Sequence, residues 1–394
     1  MNRRARVVDA DGHVLEPMGL WDRFLAPRDQ LFKPRVVRND WGLDTVFVGS
    51  QEIVTAPLGL LGTPGSRMDE TDPVKKIPWE RAHRGGFDPV ARLRDMDLEG
   101  IEIAVLYPSI GLNFWAIEDG KAAVALARAY NDWLAEYCAT DPCRLYGAAM
   151  VPFQEPEGAV TELRRAAGEL GFHAAFVRPN PCLGRHIGDS AFEPVWATAE
   201  DLGVTIGIHE GSSNTIETLG RDRYFNPLVL HATSHAFEQM LACATLIVSG
   251  VMERHPALHF AFLEAGGGWV PYWLWRLDEQ VRGFGRYASE MKLKPSEYFQ
   301  RQCWVSFEAD EDTLPALLPH VGEDRVVWGS DYPHHDATFP GAVTKLEELL
   351  GRVSEDARQR ILSTNARELY RLSEAAMTEG GTLASWKRES PSRP

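Results

Sequence analysis

Short β-branched or aromatic runs recur along this chain of 394 residues, and helical stretches separate most of them. Eight such runs predict eight strands, which begin near residues 7, 101, 144, 173, 204, 259, 303 and 325. Strands that alternate with helices form parallel sheets, and eight strand–helix units close into a (β/α)8 TIM barrel. An open doubly wound sheet is the alternative, but no GxGxxG motif follows the first run. The predicted fold class is therefore α/β, with a closed barrel.

Residues 18–88 interrupt this alternation directly after the first strand and are rich in Pro, Gly and Trp. An insertion of this length at that position would lie over the barrel mouth, where functional residues are concentrated. It has too few apolar residues for a core of its own. We therefore predict a lid and specificity loop within a single barrel domain, residues 1–373. Residues 374–394 are predicted to form a polar C-terminal tail.

The composition excludes several classes of partner. A formal net charge of −15 argues against nucleic acid and anionic membranes, because both attract basic surfaces. The five cysteines include no CxxC pair, so neither a disulfide framework nor a thiolate zinc site is indicated. No secretory signal is recognisable, and the apolar residues 240–252 are too few to span a bilayer. We expect a soluble, cytoplasmic protein in which residues 240–252 form a buried helix.

The first predicted strand contains the segment VVDADGH, with three ionisable side chains at every second position. Successive side chains of a strand point to opposite faces, so Asp9, Asp11 and His13 are expected to share one face. Burying such groups without partners costs several kcal/mol each. Either water or a positive charge must therefore lie against them.

Active sites of (β/α)8 barrels form at the C-terminal ends of the strands. The polar residues at these predicted ends are Asp11, His13, Arg178, His209, Glu264, Glu308 and Asp331. A divalent metal ion would supply the positive charge that Asp11 and His13 need, and mixed imidazole and carboxylate ligands suit zinc, manganese or iron. Asp9 is expected to bond to the backbone or to an arginine beneath the metal rather than to the ion itself.

Four segments of the chain, DADGH, GIHEG, GVMERHPAL and WGSDYPHHD, resemble the amidohydrolase superfamily. The similar branch contains the aminocarboxymuconate-semialdehyde and γ-resorcylate decarboxylases, and the likeness extends to TNARELYRL near the C-terminus. The resemblance implies metal ligation by Asp11, His13, His209 and Asp331. Binuclear members have a carbamylated lysine at the end of the fourth strand, where this chain has Arg178. One divalent ion is therefore implied, with zinc preferred and manganese or iron as alternatives.

The resemblance also implies a reaction, the non-oxidative decarboxylation of a small cyclic or aromatic carboxylic acid. Glu264 stands within about one position of a histidine of the decarboxylases, and burial could raise its pKa until it serves as an acid. Arg178 is predicted to clamp the substrate carboxylate, since its planar guanidinium binds bidentately. Asp331 would handle protons as well as bind the metal. His235 is predicted to open the helix after the fifth strand and to contact substrate.

Several alternatives remain open at this point. A hydrolase of an amide, lactone or C–C bond would use the same groups, with Asp331 accepting a proton from metal-bound water and Glu264 assisting the leaving group. A non-catalytic, ligand-binding barrel is a further alternative. Glu264, His235 and Glu308 are all candidates for the proton donor. The resemblance also implies a homodimer, for which the segment WVPYWLWRLDE offers an apolar helix face.

Overall fold

The computed structural model describes residues 6–66, 79–211, 213–223 and 226–372. The predicted tail, residues 374–394, and residues 67–78 of the predicted insertion lie outside the described residues. The strands of the described part are β1 (Val7–His13), β2 (Arg35–Arg38), β3 (Asp44–Val48), β4 (Gln51–Ala56), β5 (Ile101–Tyr107), β6 (Leu145–Met150), β7 (Ala174–Val177), β8 (Thr205–His209), β9 (Phe260–Leu263), β10 (Cys303–Glu308) and β11 (Val326–Gly329).

Eight of these strands run parallel in the order β1-β5-β6-β7-β8-β9-β10-β11. The segment after β11 returns to β1, because the Asp331 N–H donates to the Asp11 carbonyl at 3.0 Å and the His13 N–H donates to the Tyr332 carbonyl at 2.8 Å. The predicted α/β TIM barrel is confirmed. Each barrel strand begins within one residue of its predicted start.

Helices cover the outside of the barrel. They are α1 (Leu20–Phe24), α2 (Pro89–Glu99), α3 (Gly120–Cys138), α4 (Pro156–Gly168), α5 (Glu193–Leu202), α6 (Pro227–Val248), α7 (Val251–Arg254), α8 (Val270–Phe284), α9 (Pro295–Gln302), α10 (Leu314–Val321), α11 (Ala342–Leu350), α12 (Glu355–Gln359) and α13 (Asn365–Leu369). Residues 240–252, predicted as one buried helix, are divided between α6 and α7 at Gly250, whose φ is 76°. No helix within the described ranges is long and apolar enough to cross a membrane.

Local sequence explains where several helices begin and end. The side chains of Asp88 and Asp119 accept hydrogen bonds from the first N–H groups of α2 and α3, which would otherwise lack partners. Gly100 and Gly203 follow α2 and α5 with φ of 81° and 66°. That left-handed conformation is strained for residues with a side chain, so glycine ends both helices.

Apolar side chains form two layers, one on each side of the barrel wall. Val8, Ile103, Val105 and Trp304 pack together in the barrel interior. Residues of the opposite strand face, such as Val7, join the larger core between strands and helices. This division follows from the two-residue period of strand side chains. Because apolar side chains occupy both faces of the strands, the polar groups are concentrated at the C-terminal strand ends.

The insertion after β1 contains a small antiparallel sheet, in the order β2-β3-β4, that the sequence analysis did not predict. Its residues contact loops that follow barrel strands. Gln51 Nε2 donates to the Ala116 carbonyl at 2.7 Å, the Thr55 N–H donates to Asn214 Oδ1 at 2.9 Å, and the Gly65 N–H donates to the Ala337 carbonyl at 2.9 Å. The described part of the insertion therefore lies at the C-terminal face of the barrel. Its role as a lid stays a prediction.

Candidate metal centre and active-site cavity

Four side chains from three separate parts of the chain meet at the C-terminal end of the barrel. Asp11 and His13 end β1, His209 ends β8 and Asp331 follows β11. The Nε2 atoms of His13 and His209 are 3.0 Å apart. Asp11 Oδ1 lies 3.3 Å from His209 Nε2, and Asp331 Oδ1 lies 3.4 Å from His13 Nε2. These are the four residues for which the resemblance implies metal ligation.

The hydrogen bonds of the two imidazoles indicate which ring nitrogens are free to bind an ion. His13 Nδ1 lies 2.8 Å from the Pro108 carbonyl, and His209 Nδ1 lies 2.5 Å from the Glu210 carbonyl. A carbonyl only accepts, so each Nδ1 carries a hydrogen, and each Nε2 presents a lone pair to an ion when its ring is neutral. Without an ion, burial lowers the pKa of His209, but the charges of Asp11 and Glu264 outweigh it and raise that pKa. Burial and the rings of His334 and His209 hold the pKa of His13 well below its usual value. Two lone pairs so close together repel unless a cation lies between them.

The two aspartates also fit a cation. Asp11 Oδ1 and Asp331 Oδ1 are buried and accept no hydrogen bond of good geometry among the described residues, although Asp331 Oδ1 lies 2.7 Å from His334 Nδ1. Burial raises the pKa of Asp11 to about 6, although the nearby His209 acts in the opposite direction. Burial and the neighbouring Glu264 raise the pKa of Asp331 well above its usual value. Because unpartnered buried carboxylates are costly, two imidazole nitrogens and two such oxygens form a donor set that fits one divalent ion.

Two of the residues at this site have unusual backbone conformations. Glu264 has φ of 52° and Asp331 has φ of 51°, both in the left-handed region that non-glycine residues seldom adopt. Such backbone strain persists where the surrounding structure holds a residue in place, and it is concentrated at functional sites. The hydrogen bond from the Asp331 N–H to the Asp11 carbonyl is one contact that holds this turn against β1.

Asp9 lies beneath this set and does not take part in it. The Ser330 N–H donates to Asp9 Oδ1 at 2.9 Å, and the Ser330 hydroxyl donates to Asp9 Oδ2 at 2.6 Å. The Asp11 N–H donates to Asp9 at 3.2 Å, and Arg92 Nη2 lies 3.9 Å from it. The predicted bonding to backbone and arginine is confirmed. The expected common face of Asp9, Asp11 and His13 is wrong, because the β1–β5 register shifts between Asp9 and Gly12.

Ser109 and His334 form a chain of contacts to Asp331 that links the end of β5 to the segment after β11. His334 Nδ1 lies 2.7 Å from Asp331 Oδ1, and His334 Nε2 lies 2.9 Å from the Ser109 hydroxyl. Both residues are buried. Ser109 follows β5 and His334 follows β11, so no local pattern in the sequence connects them. Together they hold the carboxylate of Asp331 in one orientation.

His235 and Glu264 lie next to the four-residue set. Glu264 Oε2 is 3.2 Å from His209 Nδ1, and Glu264 Oε1 is 3.7 Å from His235 Nε2. Glu210 Oε2 is also 3.7 Å from His235 Nε2. The structure corrects the predicted position of His235, which lies in the third turn of α6 and not at the start of the helix.

The protonation states of His235 and Glu264 differ from those that the sequence analysis predicted. Burial lowers the pKa of His235, but hydrogen bonding to Glu264 and the charges of Glu264 and Glu210 outweigh it and raise that pKa to about 9. Burial acts to raise the pKa of Glu264, yet the charges of His209 and His235 hold it well below its usual value. The predicted rise in the pKa of Glu264 is therefore wrong. In this pair the imidazole, and not the carboxylate, keeps a proton at neutral pH.

Arg178 is fully buried and does not line the cavity described below. Its Nη2 donates to Glu210 Oε1 at 2.9 Å and to the Gly211 carbonyl at 2.6 Å. Its Nε donates to Asn180 Oδ1 at 2.8 Å, and its Nη1 donates to the Leu112 carbonyl at 3.1 Å. This corrects the predicted position of Arg178, because the carboxylate that it binds here belongs to Glu210.

A cavity of about 200 Å³ opens beside the four-residue set. An apolar cavity of about 150 Å³ is enough to hold benzene, so this one can hold a single substituted ring. The ionisable residues that line it are His231, His235, Glu264, Glu308, Asp310, Asp331 and Asp336. Glu308 follows Trp304 and Ser306 at intervals of two residues on β10; those two side chains point into the barrel, and the side chain of Glu308 at the strand end is exposed.

Comparison with known proteins identifies the family. The sequence profile described as amidohydrolase matches residues 8–372. The chain belongs to the amidohydrolase family. It is 31% identical to the γ-resorcylate decarboxylase of Rhodococcus jostii over 300 residues, which cover 71% of this chain and 87% of that relative. It is 29% identical to the 2-amino-3-carboxymuconate-6-semialdehyde decarboxylase of Dictyostelium discoideum, over 73% of this chain and 77% of that protein.

Solved structures extend this likeness to the fold. The 2,6-dihydroxybenzoate decarboxylase from Rhizobium has a TM-score of 0.69 and 25% identity, covering 93% of this chain and 99% of that one. A dihydroxybenzoic acid decarboxylase from a Polaromonas species, solved with bound manganese, has a TM-score of 0.66 at 23% identity, with coverages of 93% and 97%. The resemblance of this amidohydrolase to the decarboxylase branch is confirmed.

Proposed function

We propose that this amidohydrolase removes CO2, without an oxidant, from a small cyclic or aromatic carboxylic acid. The observation that carries the proposal is the buried group of Asp11, His13 and His209, to which Asp331 is joined by its contact of 3.4 Å with His13, beside a cavity the size of one ring. Both curated relatives described above are decarboxylases. The strained backbone of Glu264 and Asp331 further supports a catalytic site at this point.

We assign one divalent metal ion to this set. Two imidazole nitrogens and two carboxylate oxygens suit zinc, which we prefer, and also manganese or iron. When bound, the ion would supply Lewis acidity that polarises a substrate oxygen. Activity is expected to disappear on treatment with a chelator and to return with one equivalent of added metal per chain.

The residues around the cavity would carry out the proton transfer. His235 lines the cavity and holds a proton at neutral pH, which suits a general acid that protonates the carbon losing CO2. Glu264 faces both His235 and His209, so it orients the imidazolium and balances its charge. Asp331 would be a second group that exchanges protons, in addition to binding the metal. Arg178 would act on the site only through Glu210.

A metal-dependent hydrolase of an amide, lactone or C–C bond is the second candidate. One observation favours it: the imidazolium of His235 faces Glu264 and acts to lower its pKa, so this carboxylate is better suited to accept a proton than to donate one. A hydrolase needs such a base to activate water. The two reactions differ in the origin of the oxygen atoms of the product.

The deciding experiment incubates the zinc and manganese forms with a panel of aromatic acids and amides in oxygen-18 water. Release of CO2 with no label in the organic product supports the decarboxylase. Label in a new carboxylate would instead identify a hydrolase. Tight binding with no turnover of any compound would favour a ligand-binding barrel.

A matched pair of variants tests the proton donor. His235→Gln is expected to lower kcat by about 100-fold or more, the contribution of a general acid, while the protein keeps its metal. His231→Gln is the control, because His231 stacks on His235 at 4.3 Å and lines the same cavity without facing Glu264 in an ion pair. Equal losses in the two variants would contradict the assignment.

We also propose that the protein resides in the cytoplasm. Four of its cysteines are buried as free thiols, and Cys143 is free and exposed. Unpaired thiols suit a reducing compartment.

A further inference from the structure

Glu16 is a fully buried carboxylate that the proposed mechanism does not use. It lies in the segment that leaves β1, a short distance after His13, and it does not line the cavity. Burial raises the pKa of Glu16 to about 7, although the N–H groups of Gly111 and Ile110 act in the opposite direction. No described cation pairs with this carboxylate, so its burial is compensated only by the N–H groups that it binds.

These N–H groups belong to three successive residues of the loop after β5. The Ser109 and Gly111 N–H groups donate to Glu16 Oε1 at 3.2 and 2.9 Å, and the Ile110 N–H donates to Glu16 Oε2 at 2.9 Å. A short 3₁₀ helix, Ile110–Ala116, begins at this point. The first N–H groups of a helix have no partner within the helix, so Glu16 caps a helix from a different part of the chain.

Ser109 occupies the position from which a serine normally caps its own helix. Its side chain forms no such bond here. The Ser109 hydroxyl instead lies 2.9 Å from His334 Nε2, and His334 Nδ1 lies 2.7 Å from Asp331 Oδ1. Because Glu16 supplies the cap, the hydroxyl of Ser109 is available to His334 and, through it, to Asp331.

The residue before Ser109 contacts another member of the four-residue set. The Pro108 carbonyl lies 2.8 Å from His13 Nδ1. At the other end of the capped residues, a Cβ atom on Gly111 would lie 2.9 Å from Glu16 Oε1, so glycine leaves the room that the carboxylate occupies. The backbone that Glu16 fixes therefore carries one contact to His13 and one chain of contacts to Asp331.

We propose that Glu16 is a positioning residue for the metal set. By capping residues 109–111 it keeps the Ser109 hydroxyl against His334 and the Pro108 carbonyl against His13. Asp331 and His13 then hold the orientations in which their donor atoms face the ion before it binds. This inference rests on the metal assignment within the proposed function, but it does not depend on the reaction that follows.

The test measures the zinc affinity of the full chain by competition with a chromophoric chelator at about pH 8, above the pKa of Glu16. Glu16→Gln keeps the size of the side chain but replaces one acceptor oxygen with an amide donor, which cannot bind an N–H group. It is expected to weaken zinc binding by about ten-fold or more, the usual effect of removing a group that orients a metal ligand. Glu16→Asp keeps the charge on a shorter side chain and should also weaken it.

Glu162→Gln is the matched control for burial. Glu162 is a buried carboxylate of α4 that accepts hydrogen bonds from Asn131 and Arg165 and lies outside the metal set. This variant is expected to lose stability in chemical denaturation and to keep its zinc affinity. The visible absorption of bound cobalt(II), which depends on ligand geometry, should change in Glu16→Gln and stay the same in Glu162→Gln.

A double variant tests the route through Ser109. If Glu16 acts partly by keeping the Ser109 hydroxyl on His334, Glu16→Gln should cost less zinc affinity in a Ser109→Ala background than alone. An effect of equal size in both backgrounds would overturn the proposal, as would unchanged zinc affinity in both Glu16 variants or an equal loss in Glu162→Gln. Failure of both Glu16 variants to fold would show a structural role and overturn it as well.

These outcomes are separable from those of the proposed function. Zinc binding that depends on Glu16, in a protein that releases no CO2 from any acid, would support the role of Glu16 and count against the decarboxylase. Release of CO2 by a zinc protein whose metal affinity is the same with and without Glu16 would overturn the positioning role and leave the decarboxylase in place. An unaltered protein that binds no zinc, manganese or iron would overturn both.

Discussion

Asp331 combines a strained backbone with a buried carboxylate oxygen, Oδ1, that accepts no hydrogen bond of good geometry among the described residues and lies 2.7 Å from His334 Nδ1. Such a residue should make the metal-free protein less stable and the metal-bound protein more stable. Asp331→Asn is expected to match or exceed the unaltered protein in unfolding free energy when a chelator is present. Only the unaltered protein should gain with metal, by about 2.7 kcal/mol when the metal is at 100 times its Kd.

Chemical denaturation with and without zinc, together with metal content by elemental analysis, checks this expectation. Asp336→Asn is the matched control, because Asp336 lines the same cavity but lies outside the converging donor set. It should retain one metal per chain and the full gain in stability. Loss of metal from the control alone, or from neither variant, would contradict the ligand assignment.

One buried side chain of helix α2 contacts both the end of the first barrel strand, β1, and the turn that follows the last one, β11. Arg92 Nη1 donates to the His13 carbonyl at 2.8 Å and to the Tyr332 carbonyl at 3.3 Å, and its guanidinium stacks on the Tyr332 ring at 4.6 Å. Its Nη2 lies 3.9 Å from Asp9. Arg92→Met would leave Asp9 as a buried charge without its cation, which is expected to lower the unfolding free energy by about 3–5 kcal/mol.

The double variant Arg92→Met with Asp9→Asn tests whether the lost ion pair is the cause. Removing both charges should recover part of the loss, so the two single effects should not add. Arg94→Met is the control, because Arg94 is exposed on the same helix and its replacement should change stability little. Strict additivity of the two single effects, measured by urea denaturation, would refute the coupling.

The outer surface of the barrel bears apolar side chains on two neighbouring helices, α6 and α8. Phe237 and Leu241 on α6, and Tyr272, Trp275 and Phe284 on α8, are each about half exposed or more. Trp273 Nε1 on α8 donates to the Met240 carbonyl on α6 at 2.7 Å, so the two helices lie side by side. We predict that this face joins two copies of the chain, because exposed apolar side chains gathered on neighbouring helices favour association.

Light scattering at micromolar concentration is expected to give the mass of a homodimer. Trp275→Glu should shift the protein toward the monomer without a large change in far-ultraviolet circular dichroism. Leu31→Glu, which changes another strongly exposed apolar residue away from these helices, should leave the dimer intact. A monomer of the unaltered protein under these conditions would rule the homodimer out.

The sequence by itself determined the barrel and the positions of its polar strand ends. Strand and helix periods are local properties, so the eight runs predicted every barrel strand. Parallel strands bring their C-terminal ends to one face, so Asp11, His13, His209 and Asp331 could be expected together although they are distant in the chain. The role of Asp9 as a supporting residue could also be inferred, because its partners include the backbone.

Only the tertiary structure decided which partners surround each charge. The register shift in β1 turned Asp9 away from Asp11, and Glu210 took the guanidinium of Arg178 that was predicted for the substrate. Imidazoles from β8 and α6 lowered the pKa of Glu264, which burial alone would have raised. The contact of Ser109 with His334 joins residues 225 positions apart. Pairing energies depend on distances of a few ångströms between remote segments, and no sequence pattern records those distances.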